Sequence, residues 1–129
     1  MKPATLEWVQ KAEGDMQTAL REFDVRDDTN YDAVCFHAQQ CAEKYLKGRL
    51  IEEDVPFPKA HALGKLLDLV LPLHPEWADL RQGLNSLTDT AIESRYPGYS
   101  TDRPDAEESL AVARRVRDLV RQALFLTDS

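Results

Sequence analysis

Residues 35–47 read Cys35-Phe36-His37-Ala38-Gln39-Gln40-Cys41-Ala42-Glu43-Lys44-Tyr45-Leu46-Lys47, and the spacing of the apolar side chains in and around this stretch decides the fold class. At 100° per residue, Tyr31, Val34, Cys35, Ala38, Ala42, Tyr45 and Leu46 fall on one face of a helix running from about Tyr31 to Glu53. Gln40, Glu43, Lys44 and Lys47 gather on the opposite flank, which reads as a solvated surface with local ion pairs, while His37 and Cys41 sit at the boundary. The helix must stop at Val55-Pro56-Phe57-Pro58, because each proline lacks an amide donor and biases its predecessor towards extended backbone.

The same period recurs on both sides. A first helix, from about Thr5 to Asp24, aligns Trp8, Ala12, Met16, Ala19 and Phe23, with Thr5 as its expected N-cap. Asp27-Asp28-Thr29-Asn30 ends it and offers Asn30 as the next cap. A shorter third helix, from about His61 to Leu71, turns Leu63, Leu66, Leu67 and Val70 inward, and Pro72 and Pro75 bracket the turn that follows. The fourth, from about Glu76 to Glu93, carries Trp77, Leu80, Leu84, Leu87 and Ala91 and is stopped by Pro97-Gly98. The fifth, from about Pro104 to Leu126, aligns Ala106, Leu110, Ala113, Val116, Val120 and Leu124, with Pro104 suited to a first-turn position. No stretch alternates β-branched residues at period two. The sequence therefore predicts an all-α fold, an up-and-down bundle of about five helices, four long and one short, as a single domain over residues 1–129.

Composition narrows the function classes. Apolar residues make up 43% and charged residues 30% of the 129 positions, the balance of a folded globule. No apolar run approaches the roughly 18 residues of a spanning helix, and no signal-peptide core follows Met1-Lys2-Pro3, so a cytoplasmic location without a membrane partner is expected. A net charge of -7 opposes a general nucleic-acid binder and confines any RNA contact to a local cationic spot. Cys35 and Cys41 lie about 9 Å apart along a helix axis, too far for a disulfide, and read as reduced, buried thiols. His37 and Cys41 share one helical face, but two ligands do not make a zinc site, and His61 and His74 lie in segments without companion cysteines. Neither metal nor cofactor is expected. A Gly-x-Ser-x-Gly elbow and a phosphate-cradling glycine loop are both missing.

Ser94-Arg95-Tyr96-Pro97-Gly98-Tyr99-Ser100 is the most distinctive loop. Arg95 offers a planar, bidentate fork to phosphate or carboxylate, Tyr96 and Tyr99 offer stacking and hydroxyl contacts, and Pro97-Gly98 sets a sharp bend. Lys44 and Lys47 would add charge if their flank faced this loop. The structural alternative has Arg95 capping the last carbonyls of the fourth helix, with the tyrosines closing the bundle end.

Trp8 through Asp15, Cys35 through Lys47, Lys59-Ala60-His61-Ala62-Leu63 and Arg95-Tyr96-Pro97 together resemble the HEPN family, over a span from Trp8 to about Val120. The second-helix stretch is the specific part. The resemblance implies a helical bundle that forms homodimers or higher homo-oligomers, often encoded beside a small nucleotidyltransferase in pairs of toxin–antitoxin type. Many members are metal-independent endoribonucleases whose activity rests on an arginine followed, after four to six residues, by a histidine on the loop before the last long helix. Arg95 matches that arginine, but Ser100, Thr101 and Asp102 stand where the histidine would fall. Taking a proton from a ribose 2′-hydroxyl needs a group that titrates near neutrality, which Ser and Thr do not supply unaided and Asp102 supplies only as a weak base. His37 and His61 come from other segments, at positions that do not match the family's catalytic histidine. The chain thus resembles the Arg-Tyr-Pro branch and is expected to bind a nucleotide, an RNA phosphate or a nucleotidyltransferase partner through Arg95, Tyr96, Tyr99, Lys44 and Lys47 without cleaving RNA. The alternatives are an atypical ribonuclease using Arg95 and Asp102, and a helical scaffold without a ligand.

Overall fold

A computed structural model describes residues 1–126, in the order α1 (Pro3–Phe23), α2 (Tyr31–Glu52), α3 (Leu63–Val70), a 3-10 helix (Pro75–Leu80), α4 (Arg81–Glu93) and α5 (Arg103–Ala123). No strand occurs among the described residues, 72% of which are helical. No helix among them is long and apolar enough to cross a membrane.

The second helix is the axis of the bundle. It packs against α1, α3, α4 and α5, so it has no continuous solvated flank. Val34, Cys35, Ala38, Ala42, Tyr45 and Leu46 are buried as the apolar pattern predicts, but so are Gln39, Glu43, Lys47, Gly48 and Arg49. The solvated surface read for Glu43 and Lys47 is therefore wrong: their exposures are 4% and 7%. Periodicity identified the apolar stripe correctly, and the extra neighbours covered the rest. Asn30 caps the helix as expected, accepting the Ala33 amide at 3.0 Å.

The third helix starts at Leu63 rather than His61, which leaves His61 in the segment before it, and three other boundaries move for local reasons. Pro3, which needs no amide acceptor, starts α1 with Lys2 as N-cap, so Thr5 lies inside the first turn, buried. Its hydroxyl donates to Glu52 Oε1 at 2.9 Å, and the Lys2 amide donates to the same oxygen at 3.0 Å. The Lys2 amide first, then Thr5, holds the Glu52 carboxyl below its ordinary range. The predicted fourth helix divides at Arg81, its first part being the 3-10 helix opened by Pro75. His74 stacks on Trp77 within that corner, with ring centroids 3.9 Å apart. The fifth helix ends at Ala123, short of Leu126, and leaves Phe125 at φ 59° and 94% exposed. Trp77 is buried in the core, whereas Phe125, Ile92 and Tyr96 remain exposed.

Cys35 and Cys41 are free and buried, and burial pushes both thiols above their ordinary range. The α1–α2 crossing is close because position 48 has no side chain. A Cβ there would stand 3.2 Å from Trp8 Cβ and 3.7 Å from the Thr5 carbonyl oxygen. Gly48→Leu is expected to destabilise the fold by about 1–3 kcal/mol through overpacking, read as a lower urea midpoint. An unchanged midpoint would contradict so tight a crossing.

Candidate functional site: a cleft between the second and fourth helices

The site is built around a carboxylate. A buried anion needs charge and hydrogen-bond partners, and Glu43 finds three. Its Oε2 accepts from Lys47 Nζ at 3.1 Å, one turn along α2. Its Oε1 accepts from Gln39 Nε2 at 3.2 Å, one turn back, and from His61 Nδ1 at 3.1 Å. Gln39 Nε2 also donates to the His61 carbonyl at 3.0 Å. These bonds fasten the extended segment before α3 to α2 and fix the imidazole by one nitrogen. The other nitrogen, Nε2, has no protein partner among the described residues, and the His61 side chain is 77% exposed.

His61, Gln39 and Gln40 form one wall of a cleft of about 140 Å³; Thr88, Ala91, Ile92 and Arg95 form the other. Gln40 Nε2 donates to Gln39 Oε1 at 2.7 Å. The Thr88 hydroxyl is saturated, accepting the Leu63 amide at 3.2 Å and donating to the Leu84 carbonyl at 2.9 Å. Ala91 and Ile92 make the rest of that wall apolar. The cationic and hydrogen-bonding capacity left for a ligand thus lies with Arg95, His61 Nε2 and the remainder of the Gln40 amide.

Arg95 is not the cap of α4. The Ser94 amide bonds the Thr90 carbonyl at 3.0 Å, the Arg95 amide that of Ile92 at 3.2 Å and the Tyr96 amide that of Glu93 at 3.1 Å; Ser94 Oγ donates to the Ala91 carbonyl at 3.0 Å. Backbone amides and a serine therefore close the helix end, and the guanidinium is left over. Its Cζ lies 4.5 Å from the Phe36 ring centroid, and it forms no ion pair among the described residues. The ring restricts the side chain without neutralising it.

The loop beyond is a turn from Tyr96 to Tyr99, closed by the Tyr99 amide on the Tyr96 carbonyl at 3.3 Å, with Gly98 at φ 86°, which a side chain would disfavour. Tyr96 is 64% exposed, and neither tyrosine lines the cleft. A hydrogen bond to the Glu93 carboxylate pushes the Tyr99 phenol above its ordinary range. The loop ends on Asp32, whose Oδ1 accepts the Thr101 amide at 2.8 Å and hydroxyl at 2.6 Å.

The remaining sequence candidates lie elsewhere. Asp102 is the N-cap of α5, in a reciprocal capping box with Asp105, and does not line the cleft. Lys44 bonds Asp15 Oδ2 at 2.5 Å, while Asp15 Oδ1 meets His37 Nδ1 at 2.8 Å, so both side chains are held against α1. Lys47 stands behind Glu43, its ammonium 5.6 Å from the ring centroids of Trp8 and Phe57. Arg95 is thus brought together with His61, Gln39, Gln40 and Thr88, which sequence reasoning passed over as site residues. The available signal was the polar series Gln39, Glu43, Lys47 at four-residue spacing on an otherwise apolar helix. No group of three or more His, Cys, Asp or Glu placed to hold a metal ion occurs among the described residues.

An all-α bundle with α2 at its centre and a polar cleft beside the end of α4 defines the class of protein. The HEPN domain model matches residues 5–123, and the chain belongs to that family. Two solved structures are similar. TT1696 from Thermus thermophilus shares 23% identity at a TM-score of 0.75, covering 94% of this chain and 98% of that one, a likeness of fold. ST0689, an archaeal HEPN homologue, shares 29% identity at a TM-score of 0.74, covering 95% of this chain and 98% of that one. No curated protein matches the chain.

Lys47→Met would leave the buried Glu43 carboxylate without its cation, and an expected loss of about 3 kcal/mol in chemical denaturation follows. Adding Glu43→Leu to that variant should recover part of the loss. A single variant as stable as the wild type would show that Lys47 does not neutralise Glu43.

Proposed function

We propose that this chain is a non-catalytic HEPN-family protein that binds a nucleotide or an RNA phosphate beside Arg95. We further propose that it works as a homodimer or higher homo-oligomer, paired with a small nucleotidyltransferase in a system of toxin–antitoxin type. The observation that carries the binding reading is Arg95 itself, an exposed guanidinium with no carboxylate partner among the described residues, at the lip of a cleft with polar groups on its facing wall. In a chain of net charge -7, a phosphate is held only where such a cation converges with other donors. Tyr96 and Tyr99, exposed on the turn next to it, would stack on a base outside the cleft in this reading. Lys44 and Lys47, each paired with a carboxylate, have a smaller part in this reading than Arg95.

A second reading, an atypical metal-independent endoribonuclease, is favoured by one observation: the imidazole of His61 lines the same cleft as Arg95. An RNA-cleavage assay over several pH values separates the two. The binding reading expects no cleavage above background, and cleavage lost in His61→Ala would establish the second.

Subunit association is supported by family membership, since HEPN-family proteins commonly oligomerise. Sedimentation should give a mass above the 14.7 kDa of one chain, and a monomer at micromolar concentration would contradict it. Arg95→Ala is expected to weaken nucleotide or RNA binding about tenfold or more with helicity unchanged, since a charge-assisted hydrogen bond contributes roughly 1.5–3 kcal/mol. Arg95→Lys should restore only part, because an ammonium lacks the planar fork. Unchanged binding in calorimetry, with a lowered melting temperature, would make Arg95 a structural residue.

A further inference from the structure

We propose that His61, held by Glu43, is the second phosphate-binding group of the cleft, and that Arg95 and His61 together select a terminal phosphate monoester over an internal phosphodiester. The inference rests on the reading of Arg95 as the phosphate anchor and adds the chemical class of the ligand.

Two observations carry it. The first is the fixed imidazole. A carboxylate accepts and does not donate, so the bond between His61 Nδ1 and Glu43 Oε1 at 3.1 Å places a proton on Nδ1. The ring then meets the cleft with Nε2 as its remaining polar atom. Unprotonated, Nε2 turns a lone pair towards an anion; protonated, it becomes a charged donor beside Arg95. A ligand with two negative charges therefore draws a proton onto Nε2, and a ligand with one charge draws it less strongly. The charged groups facing His61 are Glu43 from α2, with Lys47 behind it, and Arg95 beyond α4. The cleft residues on α4 itself, Thr88, Ala91 and Ile92, are uncharged, so no carboxylate on that wall repels a phosphate.

The second observation is size. The cleft measures about 140 Å³, below the roughly 300 Å³ at which pockets begin to enclose a whole small-molecule ligand. It takes one end of a ligand. A phosphate monoester presents three terminal oxygens and about 1.5 charges near pH 6, rising towards two above about pH 7, enough for both the Arg95 fork and the His61 Nε2–H. An internal diester presents two such oxygens and one charge, with chain leaving on both sides where the cleft has room for one. The base stays outside, where Tyr96 and Tyr99 are exposed and where stacking accepts any base.

The test is calorimetric titration of the full chain with adenosine 5′-phosphate and with its 5′-methyl diester, between pH 6 and 8.5, in buffers of different ionisation heat. The expected result is a preference of about tenfold for the monoester near pH 6.5, proton uptake on binding near pH 8, and an affinity that falls as pH rises through the imidazole range. His61→Asn, whose amide nitrogen takes the place of Nδ1 and keeps a donor for Glu43, should fold normally, abolish the proton uptake and bring monoester and diester to similar affinity. If Arg95→Ala leaves monoester binding unchanged, or neither ligand binds the wild type, the anchor reading fails and this inference fails with it. If Arg95→Ala weakens binding while the wild type shows neither preference nor proton uptake, or His61→Asn retains both, only the role of His61 is overturned.

Discussion

Glu43 places a carboxylate where almost no water reaches, on the helix that packs against the other four α-helices. A charge in that position is tolerated only with its partners in place, and the geometry of the surrounding elements follows from where those partners come from. Lys47 and Gln39 come from the same helix at one-turn spacing and so cost no tertiary arrangement. His61 comes from the extended segment before α3, and its capture ties that segment to α2 and raises one wall of the cleft. Arg49 repeats the device nearer the C-terminal end of α2. Its Nε donates to His74 Nε2 at 3.0 Å, its Nη1 meets Glu53 at 2.8 Å, and His74 stacks on Trp77. Two buried polar residues of one helix thus fix the two irregular connections that flank α3.

The arrangement of the long helices was legible because burial on one face leaves a 3.6-residue period that no other structure produces. Leu84, Leu87, Val116 and Val120 went where their spacing put them. What was not legible is how many neighbours a helix has. A period reports one apolar face, and α2, enclosed by four helices, carries an ion pair on the side that looked solvated. The Thr5 signal failed for a more local reason: Pro3 competes for the same helix start and wins, because its missing amide is no loss there. The break at Arg81 is similar, since Pro75 suits a 3-10 start as well as an α one.

The site divides in the same way. Arg95 stood out in the sequence because a guanidinium, two phenols and a Pro-Gly bend crowd one short loop. Its freedom from helix capping depends on Ser94 and three backbone amides having taken the helix-end carbonyls, which no local sequence pattern records. His61 and Gln40 reach the cleft through contacts between segments about twenty residues apart, beyond any local pattern. The opposite happened to Lys44 and Lys47, prominent in the sequence but neutralised by Asp15 and Glu43 in the fold. Thr101 and Asp102, two of the positions at which the resemblance implied a histidine, instead anchor the loop to Asp32 and cap α5.

Ligand binding by this chain is proposed at one place, the cleft between Gln40, His61 and Arg95. The most direct measurement is a two-dimensional ¹H–¹⁵N titration of the labelled protein with adenosine 5′-phosphate, recording the arginine Nε–H and imidazole resonances together with the backbone. The Arg95 side chain, the His61 ring and the amides of residues 39–40 and 95–99, Pro97 aside, are predicted to shift together along one saturable curve. Shifts confined to the opposite corner around His74 and Trp77, or no saturable shift in the presence of excess ligand, would contradict that assignment.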